Sequence, residues 1–276
     1  MPSLIASNYD TTTLLGSQLG LSTLLPIDLP SNFDCTLNNH LQIQPNVAPA
    51  SLPRLRYFGV GLGGSYNAND QNLISVYNPS RTDMNLYNLI PIRCRPVDED
   101  LTPAERANYR LRTRTTLSDG NEYFLYYLKV LSFTQPVQFK RIDPATGREE
   151  AYELDPSNLQ PTPAKPSTDL VLSSDIAEVV AYCPTEVTVE ASEILEYINV
   201  AYNGNSLYAR ISEVGFFTGD DAIVSGTTGQ GTEMTYTEAI YTMLYNHMTW
   251  QGVSLNAEGM KFVAPIEITS TGIYEA

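Results

Sequence analysis

Proline, glycine, asparagine, serine and threonine punctuate this chain throughout, and that punctuation most constrains what it can fold into. With 18 Pro and 17 Gly in 276 residues, the apolar runs between breaks are short and tyrosine-rich, as in strands separated by turns. The expected fold is mainly β: sandwich-like units, a long extended N-terminal arm and two short helices, about 103–110 and 236–248. The length suffices for one large β domain or two smaller ones.

Four segments are expected. Residues 1–52 read as an extended arm, because short apolar pieces such as Leu24-Leu25-Pro26-Ile27 never settle into a period. Their apolar content suits an arm lying on a neighbouring subunit better than a solvated tail. Residues 53–154 read as a β-rich domain with one short helix. Residues 155–168 hold four prolines and read as a stiff linker. Residues 169–276 read as a second β domain with one helix.

Local grammar fills in these segments. Thr102-Pro103-Ala104-Glu105 spells a helix start, with Thr102 as N-cap, Pro103 at the first helical position and Glu105 completing a capping box. Ser118-Asp119-Gly120-Asn121 predicts a hairpin turn between 112–117 and 122–133, and Asp143–Gly147 a second between 137–142 and 149–154. Asn203-Gly204-Asn205 reads as a third, between Ile198–Tyr202 and Leu207–Val214. Gly219-Asp220-Asp221 reads as a turn, with a calcium loop as the alternative. Ala239, Ile240, Met243, Leu244 and His247 share one face at helical spacing. The glycines at 59, 61, 63 and 64 do not follow the dinucleotide-binding spacing; they fit a bulge or close backbone approach.

Diagnostic catalytic groupings are not evident. There are two histidines, His40 and His247, and three widely spaced cysteines, Cys35, Cys94 and Cys183. That set spells neither a metal site nor a disulfide framework, and it suits a reducing compartment. No cofactor is expected, and the chain reads as non-enzymatic. The formal net charge of −15 argues against direct nucleic-acid binding. No apolar run reaches the length of a membrane helix, and the N-terminus lacks the pattern of a secretory signal. Eighteen tyrosines and a charged fraction of only 17% fit surfaces that are covered by partners, although tyrosine also suits half-buried strands.

One charged stretch is a candidate interaction site. Arg106, Arg110, Arg112 and Arg114 lie close to Asp98, Glu99 and Asp100. The acids sit just before the expected helix at 103–110, where its positive end favours them. The arginines and acids could pair across copies in a ring, and charge reversal at Arg110 and Arg112 should then weaken assembly.

Two stretches together carry a resemblance. They are Arg56-Tyr57-Phe58-Gly59-Val60-Gly61 continuing through Pro91–Arg110, and Tyr208-Ala209-Arg210-Ile211-Ser212-Glu213-Val214-Gly215-Phe216 with 257–262 downstream. They resemble structural proteins of tailed bacteriophages. The resemblance implies a virion component of the neck, collar, tail or baseplate, assembled in the host cytoplasm from copies of itself and other virion proteins. It supplies no catalytic residues. A receptor- or carbohydrate-binding β module of a phage tail is the alternative, and an acidic glycan hydrolase a more remote one.

Overall fold

A computed structural model describes residues 3–4, 9–25, 32–68, 73–133, 135–143, 146–154, 178–205, 208–254 and 260–269. Strands dominate. In chain order they are β1 (Ser3–Leu4), β2 (Tyr9–Thr12), β3 (Arg54–Gly61), β4 (Ser65–Ala68), β5 (Leu73–Val76), β6 (Leu89–Ile90), β7 (Arg93–Pro96), β8 (Tyr109–Thr116), β9 (Glu122–Val130), β10 (Gln138–Ile142), β11 (Glu149–Tyr152), β12 (Glu178–Val189), β13 (Arg210–Thr227), β14 (Glu233–Ser254) and β15 (Met260–Thr269). Short helices interrupt them: α1 (Leu14–Leu24), α2 (Leu37–Leu41), α3 (Pro103–Arg106) and α4 (Ala191–Ala201). The expected fold class, mainly β with antiparallel sheets and short helices, is what forms.

The chain divides into two compact units. The first joins 1–131 to 188–262, and the second joins 132–187 to 263–276. This division differs from the expected domains 53–154 and 169–276. The expected linker at 155–168 lies outside the described residues. In the first unit the main sheet runs β2-β14-β13-β3-β9-β7, with β6 pairing β3 and β8 pairing β9. Its core packs Leu37, Ile43, Tyr57, Leu86, Leu111, Leu128, Phe217, Ala239 and Leu244. In the second unit β10 pairs with β11 on one side and β12 on the other, antiparallel in both cases. The hairpins expected at Ser118–Asn121 and Asp143–Gly147 join β8 to β9 and β10 to β11.

The expectations for helices need correction. Residues 236–248 are not a helix: they lie inside β14, paired rung by rung with β13. The misleading period has a physical origin. Ile240 and Met243 face Asp220 and Thr218, while Leu244 and Asn246 face Phe217 and Phe216. β14 therefore carries one extra residue in each interval, a bulge at Tyr241 (φ 52°) and another at Tyr245. Two bulges four residues apart stretch the two-residue alternation of a strand towards a helical spacing.

The helix expected over 103–110 stops at Arg106, because Tyr109 onwards pairs with β9. Its start is as expected: the Thr102 hydroxyl caps Glu105 N–H, and the Glu105 carboxylate accepts from Thr102 N–H at 2.9 Å. Ile198–Tyr202 is the end of α4 and not a strand. Gly219-Asp220-Asp221 continues β13 instead of turning it.

The described part of 1–52 is not an extended arm. It folds back on its own chain. β2 pairs with β14 from Thr249 to Asn246. The Thr13 hydroxyl accepts from Gly16 N–H and donates to the Leu244 carbonyl at 2.6 Å, capping α1 against β14. Leu37 and Ile43 enter the core.

Candidate functional site

The arginine and acid stretch is built from α3, β8 and the turn before them, and it points mostly inward. Arg112 is buried. Its guanidinium donates to Asp100 at 3.0 Å and lies over the Phe124 ring, 3.5 Å from its centre. Arg106 also reaches Asp100, at 3.3 Å, and the Tyr126 hydroxyl donates to the same carboxylate at 2.6 Å. Arg110 is buried and donates to Asp221 at 2.7 Å and 3.2 Å. Arg114 pairs with Glu122 on the exposed side of the β8–β9 hairpin. Asp98 and Glu99 are exposed on a 3₁₀ turn. Arg106, Arg110, Arg112 and Asp100 thus join strands of their own chain. Reversing Arg110 or Arg112, both buried, would set a new acid against Asp221 or Asp100 and damage the fold before any assembly.

Asp221 also accepts from the Tyr57 hydroxyl at 2.9 Å, and Arg56 lies 3.5 Å away. Burial pushes the Asp221 carboxyl up, but Arg110, Tyr57 and Arg56 outweigh it and hold it below its usual range. Asp220 accepts from the Ser51 N–H and hydroxyl, each at 3.1 Å. Guanidinium groups surround this acid pair where a calcium ion would need further oxygens. Among the described residues no three His, Cys, Asp or Glu groups could hold a metal ion.

Buried acids that the sequence did not single out hold the strands together. Glu213, on β13, has no exposed surface. It accepts backbone N–H bonds from Gly63 (2.8 Å), Tyr87 (2.9 Å) and Asn88 (2.8 Å), and His247 Nε2 lies 3.0 Å away. His247 Nδ1 faces Asp83 at 2.9 Å, so the imidazole is a strut between two carboxylates. It too is fully buried, which leaves no approach for a substrate.

The glycine-rich turn after β3 makes room for this clamp. A Cβ at Gly64 would fall 2.1 Å from the Ser212 carbonyl oxygen, and one at Gly61 would fall 2.4 Å from Glu213 Oε1. The expectation of close backbone approach there is met.

Glu238, on β14, plays the same part for β8. Leu111, at φ 56°, turns its N–H out of the ladder towards Glu238 (2.5 Å), joined by Arg112 N–H (2.9 Å). Burial pushes the Glu238 carboxyl up to about 7 against those donors. Glu193, on α4, takes Lys129 at 2.8 Å and the Tyr109 hydroxyl. The only sequence signal for these acids is a lone charge set among strand residues, as in Ile211-Ser212-Glu213-Val214 or Glu238-Ala239-Ile240. Cys94 is buried, and burial pushes its thiol up to about 12, so it is no nucleophile at neutral pH.

Two exposed surfaces stand out among the described residues. One is a row of half-exposed tyrosines, with Tyr66 against Tyr77 and Tyr77 against Tyr87 at ring separations of 4.4 and 5.7 Å. The other is α1. Gly16, Leu19 and Ser22 face inward, while Leu14, Leu21, Leu24 and the following Leu25 are exposed, Leu24 to 80%. Residues 11–25 carry no charge at all. The exposed side of this helix is thus largely leucine and carries no charge.

A mainly β protein whose buried acids serve as joints, with an uncovered leucine face, is the class these observations define. The chain belongs to a family of unknown function, DUF7208, whose pattern matches residues 1–268. No curated protein and no solved structure matches it. No helix among the described residues is long and apolar enough to cross a membrane.

Proposed function

We propose that this protein is a non-enzymatic structural subunit that works in multiple copies, with the virion of a tailed phage as the setting its sequence resemblance suggests. The observation that carries the reading is the leucine face of α1. Burying a leucine side chain gains about 1.5–3 kcal/mol, and four leucines at α1 are left about half or more exposed. In a chain of net charge −15, copies repel one another over most of their surface and approach most easily where charge is missing. The buried acids and their arginines support the same reading, because their bonds are spent on fixing the fold.

Light scattering on the purified full chain tests it. Mass should grow with protein concentration towards a defined multiple of the monomer. It should grow further as salt rises from about 0.05 to 0.5 M, because screening removes repulsion while a neutral contact is untouched. A monomer at every concentration and salt would overturn the reading. An assembly that salt dissolves would point to ion-paired contacts instead.

The tyrosine row supports a second reading, a carbohydrate-binding face in which Tyr66, Tyr77 and Tyr87 offer aromatic surface to sugar rings. Binding to a glycan array that is lost in Tyr77→Ala would favour it.

A further inference from the structure

The neutral helix has a counterpart on the same chain. Towards their shared turn, β13 and β14 run as a hairpin, and residues 222–232 carry no charge. The rungs Ile223–Thr237, Ser225–Thr235 and Thr227–Glu233 present six exposed side chains, of which only Glu233, at the rim, is charged. Ile223 is 81% exposed. The alternate residues turn the other way and are held. Arg112 donates to the Thr227 carbonyl at 3.0 Å and lies 5.4 Å from the Tyr236 ring centre. Arg106 reaches the Met234 sulfur. A Cβ on Gly229 would fall 1.6 Å from the Val97 carbonyl oxygen, so the tip sits directly on that backbone. The outer face is therefore a fixed, Thr- and Ile-bearing ribbon, uncharged except for Glu233 at its rim.

We infer that α1 of one copy docks its leucine stripe on the outer face of the β13–β14 hairpin of the next copy. This rests on the multi-copy reading above and adds the two surfaces that meet. A helix laid on a sheet face is a standard way to bury an apolar stripe. The dimensions match: α1 is about 16 Å long at 1.5 Å per residue, and the three rungs span about 13 Å at 3.3 Å per residue. Electrostatics favours the pairing, since the helix face is uncharged and the hairpin face carries only Glu233 at its rim, in a chain of net charge −15.

The two patches are also far apart. α1 sits against β14 at Tyr245, where Thr13 N–H donates to the Tyr245 carbonyl. Thr235 lies ten residues along the same strand, about 30 Å away. One copy can then offer its helix and receive another at once, a heterologous contact that closes into a ring or extends as a filament. A helix-to-helix contact between two copies of α1 would stop at a pair. The area is small beside the roughly 800 Å² per partner of a standard interface, so assembly is expected at high protein concentration, where a single contact is already populated.

The test uses the full chain in two variants, Leu21→Glu/Leu24→Glu on the helix and Ile223→Glu on the hairpin, with Thr235→Lys as a second hairpin variant. All sites are exposed, and circular dichroism and the melting temperature verify that each variant folds. At concentrations where the wild type assembles, each variant alone should stay at monomer mass. An equimolar mixture of helix and hairpin variants should reach twice that mass and stop, because one intact helix can meet one intact hairpin. Assembly of both hairpin variants at wild-type level would overturn the inference, as would a mixture that stays monomeric. If helix and hairpin variants all assemble normally, the inference fails while the multi-copy reading stands. A wild type that is itself monomeric under every condition overturns both.

Discussion

Glu213 shows how single residues set this structure. A fully buried carboxylate is costly unless its lone pairs are met, and here three backbone N–H groups and an imidazole converge on it. Glu213→Gln keeps the shape but turns one acceptor into a donor that faces other donors. It should destabilise the fold by about 2–4 kcal/mol, read from urea unfolding. Glu238 adds a pH dependence. Its carboxyl is raised from an ordinary 4.5 to about 7, so between those values the folded chain holds a proton that the unfolded chain has released. The linked stability is fully present below about 4.5 and is lost as pH rises through about 7. The shift corresponds to roughly 3 kcal/mol. Relative to Glu238→Gln, which has no proton to lose, wild type should lose stability of that order from pH 4.5 to 8, read by urea unfolding. A difference that does not change with pH would refute the assignment.

At the scale of elements, α1 depends on closeness to β14. A Cβ on Gly16 would lie 2.6 Å from the Tyr245 carbonyl oxygen, whereas nothing lies within 4 Å of one on Gly20. The same substitution should therefore act with opposite signs. Gly20→Ala should stabilise by about 0.5–1 kcal/mol through helix propensity. Gly16→Ala should destabilise by about 1–3 kcal/mol, because the helix must lift from the strand. Thermal melts of the two variants check this directly. β14 carries the complementary lesson. Its bulges at Tyr241 and Tyr245 re-aim side chains, so that the Tyr241 ring packs edge-on against Phe33, with ring centres 5.4 Å apart, and its hydroxyl accepts from the Asn32 N–H at 3.1 Å.

At the scale of the molecule, stability is uneven. The first unit holds the long strands and the core named above, while β11 of the second unit is mostly exposed along its length. Amide hydrogen exchange should show the central residues of β3, β13 and β14 protected at least on the order of 100-fold more than β10 and β11. Equal protection would contradict this picture. The acidic excess acts at the same scale. Under the multi-copy proposal it sets which faces copies could bring together, and it leaves the neutral surfaces of α1 and the hairpin as the candidates.

Features written in short contiguous stretches were legible in the sequence. The Thr102–Glu105 cap and the Ser118–Asn121 and Asp143–Gly147 turns each depend on neighbours in the chain, so residue order alone determined them. The mainly β class was legible too, because frequent breaks leave room for little else. The joints were not. Glu213 meets Gly63, Tyr87 and His247, and Arg110 meets Asp221, partners tens to well over a hundred positions away that no local pattern connects. The helical period in β14 misled for the same reason: a bulge is defined by the strand across from it. Sequence by itself determined the turns at Ser118–Asn121 and Asp143–Gly147, the Thr102 cap and the excess of acid. Only the tertiary structure decided which charges would be buried and paired and which neutral faces would stay open, because both depend on what distant segments bring alongside.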